Sequence, residues 1–139
     1  MNNPLTKSDY LKFLTCPSYL WFSKKKPEVL VKKELDDFSR ELIKSGKKVE
    51  VWGRKLFPNG VLVKSMTQQA VIDTQTLLDE GKKVIFQATF EANGLYVMVD
   101  MLEWDKENEY WVINETKGST CDTADKKNSK KEHLYDAGF

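Results

Sequence analysis

The sequence predicts an α/β fold of the mixed-sheet (α+β) type, in which an antiparallel meander is flanked by helices. The strongest observation is three consecutive runs rich in Val, Ile, Phe, Tyr and Trp, which have the composition of strands: Val84 to Ala92, Leu95 to Trp104 and Tyr110 to Thr116. Apolar residues at helical spacing precede the first run. The 139 residues, 40% of them hydrophobic, suffice for one core, so we expect a single domain spanning residues 1–139.

The beginning of the chain contains the start signals of two short helices. Thr6 to Asp9 supplies cap-forming residues directly before an apolar run at helical spacing. Pro17 is suited to the first turn of a second helix, which carries a cluster of aromatic residues. This cluster requires a core to pack against.

Two further helices and a short strand are expected before the meander. Apolar residues between Val29 and Leu56 approximate a helical stripe, and Gly46 indicates a kink or a break within it. The next elements are predicted as a strand and then a helix, at Val61 to Val63 and at Thr67 to Glu80.

Composition limits the classes of function. The 22 basic residues nearly balance the 21 acidic ones, so any site for a polyanion has to be local. Two cysteines are too few for a disulfide framework, and no apolar run resembles a signal peptide or a membrane span. We therefore expect a cytoplasmic protein without a membrane partner. The ending at Gly138-Phe139, directly after an amphiphilic stretch, indicates an N-terminal fragment whose partner is the remainder of a longer chain.

The turns of the meander predict which polar side chains meet. Asn93-Gly94 is the favoured dipeptide of a two-residue type I′ turn, and this turn places Gln87 opposite Asp100. A second loop of Lys106 to Glu109 places Asp100 opposite Glu115. A one-residue change in either loop would send Asp100 to the other face. Both faces of the strands carry apolar residues, which predicts a sheet covered on both sides.

Asp100, Glu115 and Lys117 are predicted to converge, because Lys117 follows Glu115 by two residues and the side chains of a strand alternate. Two carboxylates that are partly buried need a partner, and Mg²⁺ takes such oxygens together with waters and phosphate oxygens. The backbone carbonyl of Thr116 is a further candidate ligand. With a metal bound there, Lys117 would orient a water for phosphodiester hydrolysis. The alternative is a set of cross-strand ion pairs on a solvated face.

Asp100 followed by Glu115-Thr116-Lys117 resembles the D…(D/E)-x-K signature of the PD-(D/E)XK nuclease superfamily. Other stretches resemble, in the same order, a bacterial family of uncharacterised proteins that is similar to RecB-type nucleases and to the CRISPR-associated iron-sulfur nuclease: Leu5 to Tyr10, Cys16-Pro17, Leu56 to Gly60 and Val99 to Leu102. The resemblance covers nearly the whole chain. It implies a restriction-endonuclease-like core, Mg²⁺ or Mn²⁺ held by Asp100 and Glu115, and Lys117 as the catalytic lysine.

The resemblance also implies roles for residues outside this signature. Glu50 stands where RecB-type enzymes tend to have a His or Glu on a helix, so it is a candidate metal ligand, with a solvated helix residue as the alternative. Gln87, where relatives often carry Glu, and Ser119 are candidates for substrate binding. Lys126 and Lys127 are candidates for contacts with DNA phosphates, or else part of a solvated charge run.

Cys16 matches a cysteine that binds an iron-sulfur cluster in the CRISPR-associated relatives. Such a cluster needs four thiolates, and this chain contains only Cys16 and Cys121. No iron-sulfur cluster can therefore form from this chain alone. We expect Cys16 to be buried as a small hydrophobic side chain.

These inferences predict a metal-dependent, exonuclease-like deoxyribonuclease domain acting on single- or double-stranded DNA in repair, recombination or defence. The first alternative is a catalytically inactive nuclease-fold module that binds DNA or a partner protein. The neutral Gln87 and the lack of the final helix of RecB-type enzymes favour this alternative, whereas Lys117 favours the enzyme. The second alternative is a structural docking domain, which predicts an exposed apolar patch.

Overall fold

The computed structural model describes residues 4–31 and 34–116. Within them, four α-helices accompany a five-stranded sheet with parallel and antiparallel pairs, which confirms the predicted mixed α/β class. The chain divides into two compact units. The described residues up to Glu34 form the first unit together with Ala92–Val97, and Leu35–Glu91 forms the second together with residues 98–116. No described helix is both long and apolar enough to cross a membrane.

The first unit begins with a two-residue strand, β1 (Leu5–Thr6), that leads directly into helix α1 (Lys7–Thr15). β1 pairs in parallel with the beginning of a later strand at Leu95 and Tyr96. Sequence analysis missed β1, because two residues are too few to show an alternating pattern. The predicted helix start is confirmed, since Thr6 and Asp9 form a capping box at the N-terminus of α1.

Asp9 connects the two helices of this unit. Its carboxylate accepts hydrogen bonds from the backbone N–H and the hydroxyl of Thr6, at 3.0 and 2.9 Å, and lies 2.7 Å from the Lys24 ammonium of α2 (Pro17–Lys25). Only 4% of Asp9 is exposed. Burial by itself would raise the pKa of Asp9, but the hydrogen bonds from Lys24 and Thr6 outweigh it and lower the pKa to about 2.

The expectation that Cys16 is buried is wrong, because the side chain is exposed at the corner between α1 and α2. Cys16 is the N-cap of α2 and has an extended backbone, so its side chain lies outside both helices. Backbone hydrogen bonds from Tyr19 and Ser18 lower the pKa of its thiol. The aromatic cluster of α2 is also only partly covered, and Trp21 contacts Phe22 edge to face with 51% of Trp21 exposed.

The second unit begins with the longest helix, α3 (Asp37–Lys55), which starts later than predicted. Its N-terminus is capped by Asp36, whose carboxylate accepts a hydrogen bond of 2.7 Å from the Ser39 N–H. The helix continues through Gly46 without the expected break. The single glycine lowers helix propensity but does not interrupt the hydrogen-bonded backbone.

Strand β2 (Val61–Leu62) follows α3 and pairs in parallel with β3 (Val84–Ala92), with Val61 opposite Ile85. Helix α4 (Thr67–Asp79) connects these two strands and buries Ala70 and Thr74. The strand order of the sheet is β1-β4-β3-β2, and β5 also pairs with β4.

Strands β4 (Leu95–Asp105) and β5 (Tyr110–Asn114) complete the predicted meander. Asn93 and Gly94 have φ angles of 51° and 77°, which a type I′ turn requires of both residues. Asp105 lies opposite Tyr110, so the second loop is the predicted Lys106 to Glu109. Both faces of β3 and β4 are covered, because consecutive residues are buried in each: Ile85 and Phe86 in β3, and Met101 and Leu102 in β4.

The Asp9 network leads to a prediction about pH and stability. Asp9→Asn keeps the shape of the side chain but removes its charge, and we expect the free energy of unfolding at neutral pH to fall by roughly 1–2 kcal/mol. Because the folded-state pKa is about 2 and the ordinary value is 3.8, the contribution of Asp9 is present above the ordinary value and is lost as the pH falls toward 2. Denaturant unfolding across this range measures both effects.

Asp37→Asn is the matched control, because Asp37 forms an ion pair with Arg40 while 95% of its side chain is exposed. We expect no change in the free energy of unfolding beyond experimental error. Equal effects of the two substitutions would contradict the role assigned to Asp9.

The surroundings of two glycines in the second unit predict opposite effects when each glycine is replaced with alanine. At Gly60 an added Cβ would overlap the ring of the buried Phe86, so Gly60→Ala should destabilise the protein by about 1–3 kcal/mol. At Gly46, inside α3, an added Cβ meets no atom within 4 Å, so Gly46→Ala should stabilise by about 0.5–1 kcal/mol. Thermal unfolding of the two variants compares them, and a stabilised Gly60→Ala would contradict the packing.

Candidate functional site

Asp100 lies within β4 and is tied to the chain that follows β5. The backbone N–H and the hydroxyl of Thr116 donate hydrogen bonds of 2.9 and 2.8 Å to its Oδ2. Its other oxygen, Oδ1, accepts no hydrogen bond from the part of the chain that the structure describes. The carboxylate is thus oriented through one oxygen, and the second is available to a cation.

The predicted register around Asp100 is supported by the hairpin of β4 and β5. Met101 lies opposite Asn114, as the predicted loop requires, and the opposition of Asp100 and Glu115 one step further stays a prediction. However, β5 ends at Asn114, two residues earlier than predicted, and it is Thr116 whose side chain bonds to Asp100. Regular alternation therefore does not extend beyond Asn114. Glu115 is exposed and takes part in further interactions.

The structure leaves several predicted site residues outside the part that it describes: Lys117, Ser119, Lys126 and Lys127. The convergence of Lys117 with Asp100 and Glu115 stays a prediction. The same holds for the contacts proposed between the lysines and DNA.

A second polar group lies between α3 and β3. Oε1 of Glu50 accepts hydrogen bonds from the Arg54 guanidinium at 2.8 Å and from the Gln87 amide at 2.7 Å. The Glu50 side chain is 23% exposed, and that of Arg54 is 28% exposed. Glu50 is therefore not a solvated helix residue, because it is directed at the sheet and bonded to a residue of β3. Arg54 was missed in the sequence, although its position four residues after Glu50 is the spacing of a helical ion pair.

Gln87 has an unusual backbone for a residue within a strand. Its φ of 57° lies in the left-handed region, which costs a non-glycine residue of the order of 1 kcal/mol and is typical of β-bulges. The next part of β3 is hydrogen-bonded to α4, since the N–H of Thr89 donates a 2.9 Å hydrogen bond to the hydroxyl of the buried Thr74. No feature of the sequence indicates this irregularity, because glutamine has no preference for it.

Gly53 brings α3 close to the Asp100 region. A Cβ at Gly53 would lie 3.0 Å from the Cγ2 of Thr116, a distance that would force one of the two to shift. Gly53 lies between Glu50 and Arg54, so the same stretch of α3 contacts both polar groups. Nε of Arg54 is buried and has no hydrogen-bond partner among the described residues.

The oxygen donors fit a hard divalent cation at Asp100 better than at Glu50. The predicted ligands Asp100 and Glu115, with the carbonyl of Thr116, are oxygen donors of the kind that Mg²⁺ or Mn²⁺ takes. Glu50 is already engaged by Arg54 and Gln87. Among residues 4–31 and 34–116, no three acidic, histidine or cysteine side chains are grouped to hold a metal ion. The metal site stays a prediction that depends on Asp100 and Glu115.

Replacing Gln87 with Glu tests the group around Glu50. Gln87→Glu exchanges a hydrogen bond to a carboxylate for repulsion between two carboxylates, and we expect a loss of roughly 1–3 kcal/mol in the free energy of unfolding at neutral pH. In this variant the repulsion favours protonation of one of the two carboxyl groups. The loss in the free energy of unfolding should therefore shrink at acidic pH, where a protonated carboxyl again donates a hydrogen bond to the other. Denaturant unfolding as a function of pH measures this.

The matched control is Gln69→Glu, because the Gln69 amide donates a similar 2.7 Å hydrogen bond to Asp73 on the exposed side of α4. Solvent screens the new charge there, so little change is expected. A deficit in Gln87→Glu that does not depend on pH would contradict the proposed contact with Glu50.

Comparisons of the chain with protein-family models, with curated proteins and with solved structures find no match.

Proposed function

We propose that this protein is a metal-dependent nuclease domain that hydrolyses phosphodiester bonds of DNA, with exonuclease-like action in repair, recombination or defence. The observation that carries the proposal is the arrangement at Asp100. Its carboxylate is oriented by Thr116 through one oxygen, and Glu115 directly precedes Thr116 in the chain. Two acidic side chains are thereby presented on neighbouring segments in the order of the PD-(D/E)XK signature.

In this proposal Asp100 and Glu115 hold Mg²⁺ or Mn²⁺, and the carbonyl of Thr116 is the third protein ligand. The metal, when bound, polarises the scissile phosphoryl group and lowers the pKa of a coordinated water. The two hydrogen bonds from Thr116 keep Asp100 oriented before the substrate arrives, which reduces the reorganisation needed for binding. Lys117 stabilises the charge that develops on the phosphate or orients the attacking water.

The DNA contacts are proposed to be local, because the chain has a net charge of only +1. Ser119, Lys126 and Lys127 follow the signature closely in the sequence and are proposed to contact the phosphates that flank the cleaved bond. Gln87 is proposed to act indirectly. Its amide and the Arg54 guanidinium both donate hydrogen bonds to Glu50 and so orient that carboxylate. We place the protein in the cytoplasm, where it would meet its DNA substrate.

A second candidate function is favoured by one specific contact. Glu50, the acid that would complete a three-carboxylate site, is neutralised by Arg54 and bonded to the neutral amide of Gln87. A protein that keeps the nuclease fold but binds DNA or a partner without cleaving it has no need for a third acid. This alternative predicts DNA binding without cleavage.

Metal titration of the whole chain tests the nuclease proposal. We expect calorimetry to show binding of Mn²⁺ and Mg²⁺ to the native protein, and Asp100→Ala to abolish it because a ligand is removed. Lys117→Ala should keep metal binding but lower cleavage of labelled single- and double-stranded DNA at least about 100-fold, as expected when one group that stabilises developing charge is lost.

Glu103→Gln is the matched control, because Glu103 lies on the same strand as Asp100 but bonds to Asn114. Metal binding and cleavage should both survive in this variant. Metal binding without cleavage, together with retained DNA binding, would support the non-catalytic module. Absence of metal binding in the native protein would overturn the nuclease proposal.

A further inference from the structure

Helix α3 leaves most of its apolar side chains exposed. Phe38 is 76% exposed, Leu42 57% and Trp52 66%, whereas Val49 is half-buried, as are Gly46 and Glu50. In an ordinary surface helix the apolar stripe faces the core and the polar side faces water. On α3 three apolar side chains of one stripe are more than half exposed, so this stripe is a candidate interaction surface.

The stripe follows a seven-residue repeat. Phe38, Leu42, Val49 and Trp52 occupy alternating positions four and three residues apart, with Ser45 at the position between Leu42 and Val49. A repeat of 3.5 residues is the pattern by which one α-helix packs along another over several turns. The shape of the surface therefore fits a second helix better than a sheet or an extended peptide.

The charges beside the stripe specify the direction of that helix. Among the charged residues of α3, Glu41 lies in its first part and Lys48 in its second part. Glu41 and Lys48 directly precede core positions of the repeat, where charges of neighbouring helices pair. Two copies of α3 in antiparallel orientation bring Glu41 of each copy beside Lys48 of the other.

One antiparallel register satisfies the apolar and charged positions together. When Phe38 of one copy packs against Val49 of the other, Leu42 packs against Ser45, and Glu41 lies beside Lys48 on both sides of the two-fold axis. The small Ser45 leaves room for Leu42 near the axis. A sequence that is complementary to itself in this way is what a symmetric dimer requires.

The exposed area is sufficient for such a contact. An aromatic side chain buries about 150–250 Å², and Phe38 and Trp52, both more than half exposed, contribute four such side chains to a symmetric pair. They alone account for about half of the roughly 1,000 Å² that a specific interface needs. Leu42 of both copies, 57% exposed, adds to this area.

We propose that α3 is a dimerisation surface, on which the α3 helix of a second copy of this chain packs antiparallel with Phe38 against Val49 and Glu41 beside Lys48. The present partner of Glu41 is Lys44 of its own helix, at 2.7 Å, with both side chains about two-thirds exposed. Such a solvated pair is readily exchanged for one at an interface. The acidic centre at Asp100 has no part in this contact, so the proposal is independent of the proposed function.

Charge reversal with rescue tests the proposal. Sedimentation equilibrium of the whole chain over a range of concentrations should show a dimer. Glu41→Lys and Lys48→Glu should each weaken the dimer about tenfold or more, because each places like charges together twice across the axis. The double variant with both substitutions restores opposite charges in the same positions and should dimerise as well as the native chain.

Lys47→Glu is the control, since Lys47 is exposed and lies away from the proposed contact. It should leave the dimer unchanged. Phe38→Ser, at a position exposed in the monomer, should give a folded monomer with native circular dichroism. A native chain that is monomeric at every concentration, because residues 117–139 or another protein cover α3, would overturn the proposal. A double variant as weak as the single ones would overturn it as well.

Discussion

The central strands β3 and β4 are covered on both faces, so a polar group buried near them is costly unless it is hydrogen-bonded inside the protein. This constraint explains the arrangement of the second unit. The Thr74 hydroxyl accepts a hydrogen bond from the Thr89 N–H, Glu50 accepts one from the Gln87 amide, and Asp100 accepts one from the Thr116 N–H. Each of these bonds joins elements that are distant in sequence. The polar contacts thus specify how α3, α4 and the end of the meander lie against the strands.

The candidate site follows from the same constraint. Asp100 is bonded through only one of its oxygens to the described residues, whereas Glu50 is bonded and neutralised by its neighbours. Asp100 can therefore still bind a cation through its second oxygen. Glu50 would first have to release Arg54. The difference favours Asp100 as the metal ligand and makes Glu50 a residue that supports the helix and sheet arrangement.

Helix α3 links the candidate site to the proposed dimer surface. On its inner side Gly53 allows Thr116 to come close and Glu50 reaches Gln87. Phe38, Leu42 and Trp52 are left exposed, and the free energy of burying them is still available. A partner helix on that side would stabilise the element that contacts both polar groups, without touching Asp100.

Sequence by itself determined the fold class, the meander, both hairpin loops and the register of β4 with β5, because turn residues and alternation act locally. It did not reveal β1, the left-handed Gln87, the exposed Cys16 or the outward direction of the α3 stripe. These depend on partners far along the chain, and a helical stripe looks the same whether it faces a core or solvent. Only the tertiary structure decided that Thr116 holds Asp100 and that Glu50 bonds to Gln87, because hydrogen bonds between distant segments leave no pattern in the sequence.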